Sequence, residues 1–389
     1  MKVKVSFFGL SDMLKFKNLK KNRLEAIDNT KIEPLKNYKV NELASYYHPV
    51  KQYLIIKDII SENSDVKSFI LVPDVDKGTK KLAYFKAGSY LSIYVNTNDS
   101  VASRAYAISS SPNDSLNGFY RITIKRKQGG YLSNYLLDKA KVGEKLYSTD
   151  PSGFLTFSSI RDAKNVIALA GGTGITPFLS MAKAIKEVSE DFNLTILYGV
   201  NKISDIILKD ELDEIAKSTN KVKVIYVIRD EEIEGCERGL LYAETIKKYV
   251  PVNEKYSIFI SGPNPMFDFL NEELKKLNLE SKYIRMEKSP MSLPLERKEY
   301  KLKVHLENEI YNLVSYGDET VLNALEKANI PIRTKCHLGG CGYCRSRIIS
   351  GNISTTKLNK QNPVDKELNF FHPCCSYPTS DLEIEVYKY

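Results

Sequence analysis

No stretch of the 389 residues approaches the run of eighteen or so apolar residues that a membrane-spanning helix needs. The amino terminus, MKVKVSFFGL, is lysine-bearing, but its apolar run is too short for the core of a secretory leader. The expectation is therefore a cytoplasmic protein with no membrane span. Lys and Arg outnumber Asp and Glu by 57 to 48, yet no basic run stands out as a nucleic-acid tract, so nucleic acid is not an expected partner. Internal repeats and low-complexity tracts are absent. Cysteine is scarce, with six in all, and five of them (Cys336, Cys341, Cys344, Cys374 and Cys375) fall in the last 54 residues. In a reducing compartment such a cluster reads as metal ligands or reactive thiols rather than disulfides.

At this length two to four domains are expected, and the residue grammar changes along the chain. Residues 1–48 form a lysine-rich extension with an imperfect amphipathic pattern through Leu14, Leu19, Leu24 and Ile27. Residues 49–158 hold short strand-like runs (QYLIIKDII, KSFILVP, SYLSIYV, RAYAIS, YRITIKRK) separated by turn-rich pieces, which predicts an antiparallel β-barrel with one helix over Leu132–Ala140. From 159 to 288, buried apolar strands (NVIALA, LTILYGV, KVIYVI, YSIFISG) alternate with helical patterns, as in a doubly wound α/β domain. A proline-bearing linker follows over 289–299. Residues 300–389 begin with strands and a helix capped near Asp318–Thr320, continue through a Cys/Gly-rich loop, and end on the alternating strand SDLEIEVYKY.

That loop reads Cys336-His-Leu-Gly-Gly-Cys341-Gly-Tyr-Cys344, with another cysteine thirty residues on. C-x4-C-x2-C with a distant fourth cysteine is the plant-type [2Fe-2S] spacing. Structural zinc sites use paired C-x2-C halves, and only one half exists here. Glycines Gly339, Gly340 and Gly342 let the backbone wrap closely around a small cluster. Cys374 and Cys375 are adjacent, and in an extended segment their side chains point to opposite sides, so one of the two is the fourth ligand. Cys374-Cys375-Ser376-Tyr377-Pro378 resembles the Cys-Gln-x-x-Pro ending of plant-type ferredoxin domains, which implies that Cys374 is the ligand and that this domain has the β-grasp ferredoxin-like fold. A Rieske centre needs Cys-x-His pairing, which is missing, and His337 and His372 are expected to be ordinary surface or neighbouring residues.

Upstream, Arg104-Ala-Tyr106-Ala107-Ile-Ser109 resembles the Arg-x-Tyr-Ser motif of the ferredoxin–NADP reductase superfamily. The resemblance implies that Arg104 meets a flavin phosphate, that Tyr106 lies against the flavin ring, and that Ala107 replaces the family serine. Lys125 to Leu136 resembles the family's second flavin segment, with Gly130, Leu132 and Ser133 at a helix start that would take a pyrophosphate, and so implies FAD rather than FMN. Gly171-Gly172-Thr173-Gly174-Ile-Thr-Pro177 matches the family's G-G-T-G-x-x-P pattern for a nicotinamide dinucleotide. Ser261-Gly262-Pro263-Asn-Pro-Met266 resembles its Cys-Gly-Pro…Met motif, with Ser261 in place of the cysteine beside the nicotinamide.

Together the motifs resemble the oxygenase-reductase type of that superfamily. They imply an enzyme taking hydride from NADH or NADPH onto FAD, with Tyr106 and Ser261 at the reaction centre, and passing single electrons through Cys336, Cys341, Cys344 and Cys374 to a partner redox protein. Gly199-Val200-Asn201-Lys202 lacks the Ser/Arg pair typical of NADPH enzymes, so NADH is favoured, although Lys202 or Arg229 could reach a 2′-phosphate. Glu287, near the end of the NAD domain, is a candidate to approach the flavin, with a solvated glutamate as the simpler expectation. The alternatives are an electron-transfer subunit of a larger enzyme, or a cluster-based redox sensor without turnover of its own.

Overall fold

The computed structural model describes residues 18–29, 38–96, 101–288, 293, 295–357 and 359–387. The chain divides after Leu43 into two units. In the first, the helix α1 spans Leu19–Asp28 and leaves Leu19, Leu24 and Ile27 more than half exposed, so the anticipated pattern forms a helix without a buried face. Leu14 lies outside the described residues. A helix not foreseen from the sequence, α2, covers Lys39–Tyr47. Among the described residues no helix is long and apolar enough to cross a membrane.

Six strands follow: β1 (Gln52–Asn63), β2 (Val66–Pro73), β3 (Tyr90–Asn96), β4 (Val101–Ala107), β5 (Tyr120–Lys125) and β6 (Lys145–Ser148). They form one antiparallel sheet in the order β4-β3-β6-β1-β2-β5. A bridge between Ile108 and Ile122 joins the two edges and closes the barrel. Alternation decides which side chains go inside: Leu54, Ile56, Phe69, Leu71, Leu91, Ile93, Ile122 and Ile124 meet in its core. Each buried aliphatic contributes about 1.5–3 kcal/mol relative to exposure. Two helices decorate the barrel. α3 (Pro112–Leu116) starts with a reciprocal Ser111–Asp114 cap, and α4 (Tyr131–Asp138) starts at Gly130.

The next sheet is wholly parallel, built from β7 (Asn165–Gly171), β8 (Asn193–Val200), β9 (Val222–Ile228), β10 (Glu237–Arg238), β11 (Tyr256–Ser261) and β12 (Ile284–Glu287) in the order β10-β9-β8-β7-β11-β12. Successive residues of β7 serve opposite faces. Val166 and Ala168 pack under α5 (Thr176–Lys186) and α6 (Lys209–Ser218), whereas Ile167 and Leu169 pack under α7 (Ala243–Lys247) and α8 (Asn264–Lys275). The chain steps outward from β7 to β10 and then returns to the other side of β7 with β11. The strand order therefore reverses between β7 and β11, the position at which open α/β sheets bind ligands.

This domain is clasped to the barrel by polar contacts. Burial works against ionisation of Glu211, yet Lys183 at 2.5 Å and Arg121 of β5 at 2.6 Å hold its carboxyl below the usual range. Ser180 Oγ donates to Ser110 O at 2.7 Å, and Ala87 N–H donates to Glu190 Oε1 at 3.2 Å. The other carboxylate oxygen of Glu190 is buried without a partner.

The last sheet comprises β13 (Glu299–Leu306), β14 (Glu309–Tyr316), β15 (Ser346–Ser350), β17 (Phe370–Phe371) and β19 (Leu382–Val386), in the order β14-β13-β19-β15-β17, and β16 (Ile353–Thr355) pairs with β18 (Ser376–Pro378). It grips the helix α9 (Val321–Lys327) through Leu302, Val304, Val321, Leu325 and Ile384. The side chain of Thr320 caps α9 by accepting from Asn323 N–H. A short helix, α10 (Pro363–Glu367), precedes β17.

Candidate functional site

The loop beyond α9 brings the cysteines together. Cys336 Sγ accepts Leu338 N–H at 3.4 Å. The thiols of Cys341 and Cys374 and the amide of Gly340 also donate to it, which holds Cys336 below the ordinary thiol range and pushes Cys341 and Cys374 above it. Cys374 also lies against Cys344 and Cys375. No three His, Cys, Asp or Glu side chains among the described residues are arranged around a single metal ion. Cys336 and Cys374 link the four sulfurs in a chain, Cys341 to Cys336 to Cys374 to Cys344, and backbone amides are aimed at Cys336 and Cys341. This is the kind of donor set that a two-iron cluster uses, and the residues fit that group.

The expected extended geometry at Cys374–Cys375 is not found. Both lie in a 3-10 turn, Pro373–Cys375, because Pro373 starts the turn and Cys375 N–H returns to His372 O. Their sulfurs still have different surroundings. The Cys375 thiol faces His372 O at 3.5 Å and sits over Gly339, where an added Cβ would fall 2.4 Å from it. Gly339 also has φ 72°, a left-handed conformation that favours glycine. His337 and His372 are not surface residues, being 4% and 3% exposed. Burial pushes the imidazole of His337 down to about 3. His337 Nε2 stands 3.4 Å from Ser103 Oγ, and His372 Nδ1 is 3.0 Å from Asn359 Oδ1.

On β4, Arg104 extends toward α9, where its guanidinium meets Asn323 Oδ1 at 3.0 Å and Glu326 Oε2 at 3.3 Å. Partial burial and the neighbouring Arg104 charge lower the pKa of Lys127, so two cations share this corner with the amino-terminal end of α4. Asn134 Oδ1, in the first turn of α4, is buried without a partner. Paired cations, free helix amides and an orphaned polar atom fit a phosphate-bearing group.

The remaining sequence candidates here divide. Tyr106 is half-buried against the barrel core, and burial raises its hydroxyl pKa. Ala107 pairs with Tyr90 across β3 and β4. Gly130, rather than Ser133, is the residue before the first turn of α4, and Ser133 is the third helical residue and makes no cap bond. Leu132 is a core side chain, leaving only its backbone for a ligand. Ser109 spends its hydroxyl inside the barrel on Arg121 O and Thr123. Lys125 ends β5 with its side chain exposed, and Lys127, two residues on, is the cation that reaches Arg104.

At the switch point, the turn Gly172–Ile175 packs on the loop after β11. A Cβ on Gly174 would fall 2.0 Å from Ser261 O, and one on Gly171 would fall 2.5 Å from Met266 Sδ. Gly262 is equally tight, with Met266 Sδ at 2.6 Å. Thr176 Oγ1 ties the turn down by donating to Thr173 O at 2.9 Å, and Pro177 is buried in the first turn of α5. Asn264 Oδ1, opening α8 beside Pro263, is buried and unpartnered. A tight glycine cradle with an orphaned acceptor at the strand ends fits a dinucleotide. Of the two basic candidates for a 2′-phosphate, Arg229 is engaged by Asp230 at 2.7 and 2.9 Å.

The sequence motifs did not announce the residues that join these sites. Burial above all, then the thiol charges of Cys336 and Cys341 and the carboxylates of Glu287 and Asp150, push Tyr90 well above the ordinary phenol range. Tyr90 thus stands where the barrel, the carboxyl end of the parallel sheet and the cysteine loop meet. Glu287, which pairs in register with Ser261, is not a solvated glutamate: burial pushes it up to about 7. No sequence signal marks Tyr90. The position of Glu287 at the end of the last parallel strand was the available clue.

Residues 53–157 match the oxidoreductase FAD-binding domain family, 168–272 the oxidoreductase NAD-binding domain family, and 305–379 the 2Fe-2S iron-sulfur cluster binding domain family. The glycine betaine monooxygenase reductase subunit of Chromohalobacter salexigens is 25% identical over 350 residues, covering 84% of this chain and 93% of that protein. NADH oxidoreductase HCR of Escherichia coli is 26% identical over 298 residues, covering 77% and 88%. In fold, the chain is similar to phthalate dioxygenase reductase, with a TM-score of 0.65 at 21% identity over 87% of this chain and 98% of that one. With these three domains in this order, the chain belongs to the ferredoxin–NAD(P) reductase superfamily, as an NAD(P)H-dependent FAD reductase that carries its own C-terminal plant-type [2Fe-2S] domain.

Proposed function

We propose that this reductase delivers electrons one at a time to a separate redox protein in the cytoplasm, with NADH as its preferred donor. When bound, FAD supplies the conversion of a two-electron hydride into single electrons that a two-iron cluster can carry. The chain's own residues set where these events occur. In this reading Arg104, Lys127 and the amides around Gly130 and Ser133 hold the flavin phosphates, and Tyr106 and Ala107 line the flavin ring. Gly171, Gly172, Thr173 and Gly174 approach the nicotinamide dinucleotide phosphates. Ser261, with Gly262, Pro263 and Met266 behind it, sets the nicotinamide against the flavin. Cys336, Cys341, Cys344 and Cys374 hold the cluster, and Cys375 supports the loop.

The observation that carries this reading is the direct contact of β3 and β4 with the cysteine loop, where Ser92 Oγ donates to Lys335 O at 2.5 Å and His337 Nε2 stands 3.4 Å from Ser103 Oγ, one residue before Arg104. That arrangement leaves no long gap between the flavin-lining strand and the cluster loop. Two oxygenase-system reductase subunits among the relatives support a protein acceptor, and the engagement of Arg229 by Asp230 supports NADH.

The test is anaerobic titration of the purified protein with NADH and NADPH separately, followed by visible spectroscopy and by identification of the flavin released on denaturation. Bleaching of flavin and cluster bands by NADH at lower concentration than NADPH, with FAD released, is expected. A protein that binds the nucleotide without bleaching is a sensor rather than a reductase, and release of FMN overturns the assignment around Ser133.

A further inference from the structure

The charges of the iron–sulfur domain are segregated. Residues 331–366, which contain the cysteine loop, carry seven Lys and Arg and a single carboxylate, whereas the remainder of 299–389 carries four and ten. The one carboxylate in the basic stretch, Asp365, is taken by Arg345 at 2.5 Å. The carboxylates belong mainly to β13, β14, β19 and their connections, where Glu383 is occupied by Lys303 and His305.

The basic stretch of sequence is also the one in which the cysteine loop reaches solvent. Gly340, Cys341 and Tyr343 are exposed, while Cys344 and Cys374 are buried. The segment 356–360 is tied to this loop: Thr356 N–H donates to Cys375 O, Lys360 N–H donates to Gly339 O, and Asn359 bonds His372. Lys357 and Lys360 are exposed on it and make no ion pair among the described residues. Lys335 lies over the ring of Tyr343 at 5.2 Å, on the same loop.

We infer that the rim around Cys341 and Tyr343, flanked by Lys357 and Lys360, is the docking surface for an electron acceptor that presents an acidic face around its own redox centre. The inference rests on the proposed delivery of electrons to a separate protein and adds the chemistry of that protein. Two facts independent of one another support it: the exposed sulfur of Cys341 marks where electrons leave, and the exposed charges of the adjoining segment that no carboxylate pairs among the described residues, Lys357 and Lys360, are of one sign. Complementary charge steers encounter and fixes orientation, and salt screens both effects. Because the domain as a whole balances its charges, the effect is local to this rim rather than a consequence of net charge.

The experiment uses the holoprotein, an acidic rubredoxin and a basic cytochrome c as protein probes. NADH is first shown to bleach flavin and cluster, so failure at that stage overturns the parent reading and not this one. Binding of oxidised rubredoxin to the oxidised protein is then followed by NMR line broadening, and reoxidation of the NADH-reduced protein by each probe is followed across 20–500 mM salt (about 21 down to 4 Å of Debye length). Expected are rubredoxin broadening that vanishes at high salt, a rubredoxin rate falling at least tenfold across the series, and a cytochrome c rate that rises or stays level. In Lys357→Glu/Lys360→Glu the rubredoxin dependence should flatten and its broadening be lost, with flavin reduction by NADH unchanged. Parallel salt dependence for both probes, or an unaltered rubredoxin response in the double variant, overturns the proposal. So does retention by mixed-sequence duplex DNA that the double variant abolishes without any change toward rubredoxin.

Discussion

Glu326 of α9 and Arg104 of β4 form an ion pair of 3.3 Å across the junction between the barrel and the iron–sulfur domain. The same carboxylate accepts Ser103 N–H at 3.0 Å and the Ser103 hydroxyl. Burial raises the pKa of Glu326 while Arg104 and Ser103 lower it, and burial dominates. Around this pair Thr334 bonds both Ser103 and Tyr94. Ser92 Oγ donates to Lys335 O at 2.5 Å, and Lys335 pairs with Asp150 at 2.7 Å. The residue that the flavin motif marks is thus also a residue that seats the iron–sulfur domain.

Removing the carboxylate should therefore loosen the junction. Glu326→Ala leaves a buried Ser103 N–H and the Arg104 charge without their acceptor, a change expected to cost about 2–4 kcal/mol. Glu326→Gln keeps an acceptor for Ser103 and should cost less, about 1–2 kcal/mol. Thermal unfolding of both variants with FAD bound, together with the stopped-flow rate of electron arrival at the cluster, checks this. Equal melting temperatures for wild type and Glu326→Ala are incompatible with a seating role.

The glycine cradle makes a sharper demand. An added methyl on Gly174 has a backbone carbonyl at 2.0 Å and nowhere to go without separating the two loops. Gly174→Ala should weaken NADH binding at least tenfold and lower stability by about 1–3 kcal/mol. Gly340→Ala is the control, since nothing lies within 4 Å of its added Cβ. Fluorescence titration with NADH distinguishes them.

Cys374 and Cys375 should respond differently to serine. Cys374→Ser removes a sulfur that contacts Cys336 and Cys344, and the purified protein is expected to lose most of its red-brown absorbance. Cys375→Ser should retain it with a modest loss of stability, because that thiol packs on Gly339. Iron and sulfide analysis beside the visible spectrum settles the assignment.

Glu190 makes stability fall with pH. Burial raises its pKa from 4.5 to about 7 in the folded protein. Between those values the folded state holds more protons than the unfolded chain. The contribution is thus fully present below about 4.5 and is lost as pH rises through about 7. Glu190→Gln preserves the acceptor for Ala87 N–H, and should be more stable than wild type at pH 8 by about 1–3 kcal/mol and equal to it near pH 4.5. Melting temperatures across that range read the crossing directly.

What the sequence revealed and what it hid follow from the range of the forces involved. Four of the parallel strands of 159–288, β7, β8, β9 and β11, were legible because each is a short, continuous apolar run, whereas the edge strands β10 and β12 are short and partly charged and were not. The cysteine loop was legible because its spacing is a local geometric requirement. Residues whose role depends on contact between domains left no local trace: Tyr90 and Glu326 look like any tyrosine or glutamate until the chain is folded. The flavin segment opens with three basic residues, and its spacing does not say which of them faces Arg104; β5 ends at Lys125 with that side chain exposed, and Lys127 is the one influenced by the Arg104 charge. The turn at Cys374 escaped the extended reading because Pro373 and a single backbone hydrogen bond decide it.

Anchoring by Ser92, Tyr94, Ser103 and Arg104 has a kinetic corollary. A cluster held against the barrel at this many points is a fixed terminal and not a swinging arm. Electron arrival there should proceed at one rate whatever the viscosity of the medium or the dilution of the protein. The acceptor must make the journey, so its abundance, and not the motion of this chain, sets the pace of delivery.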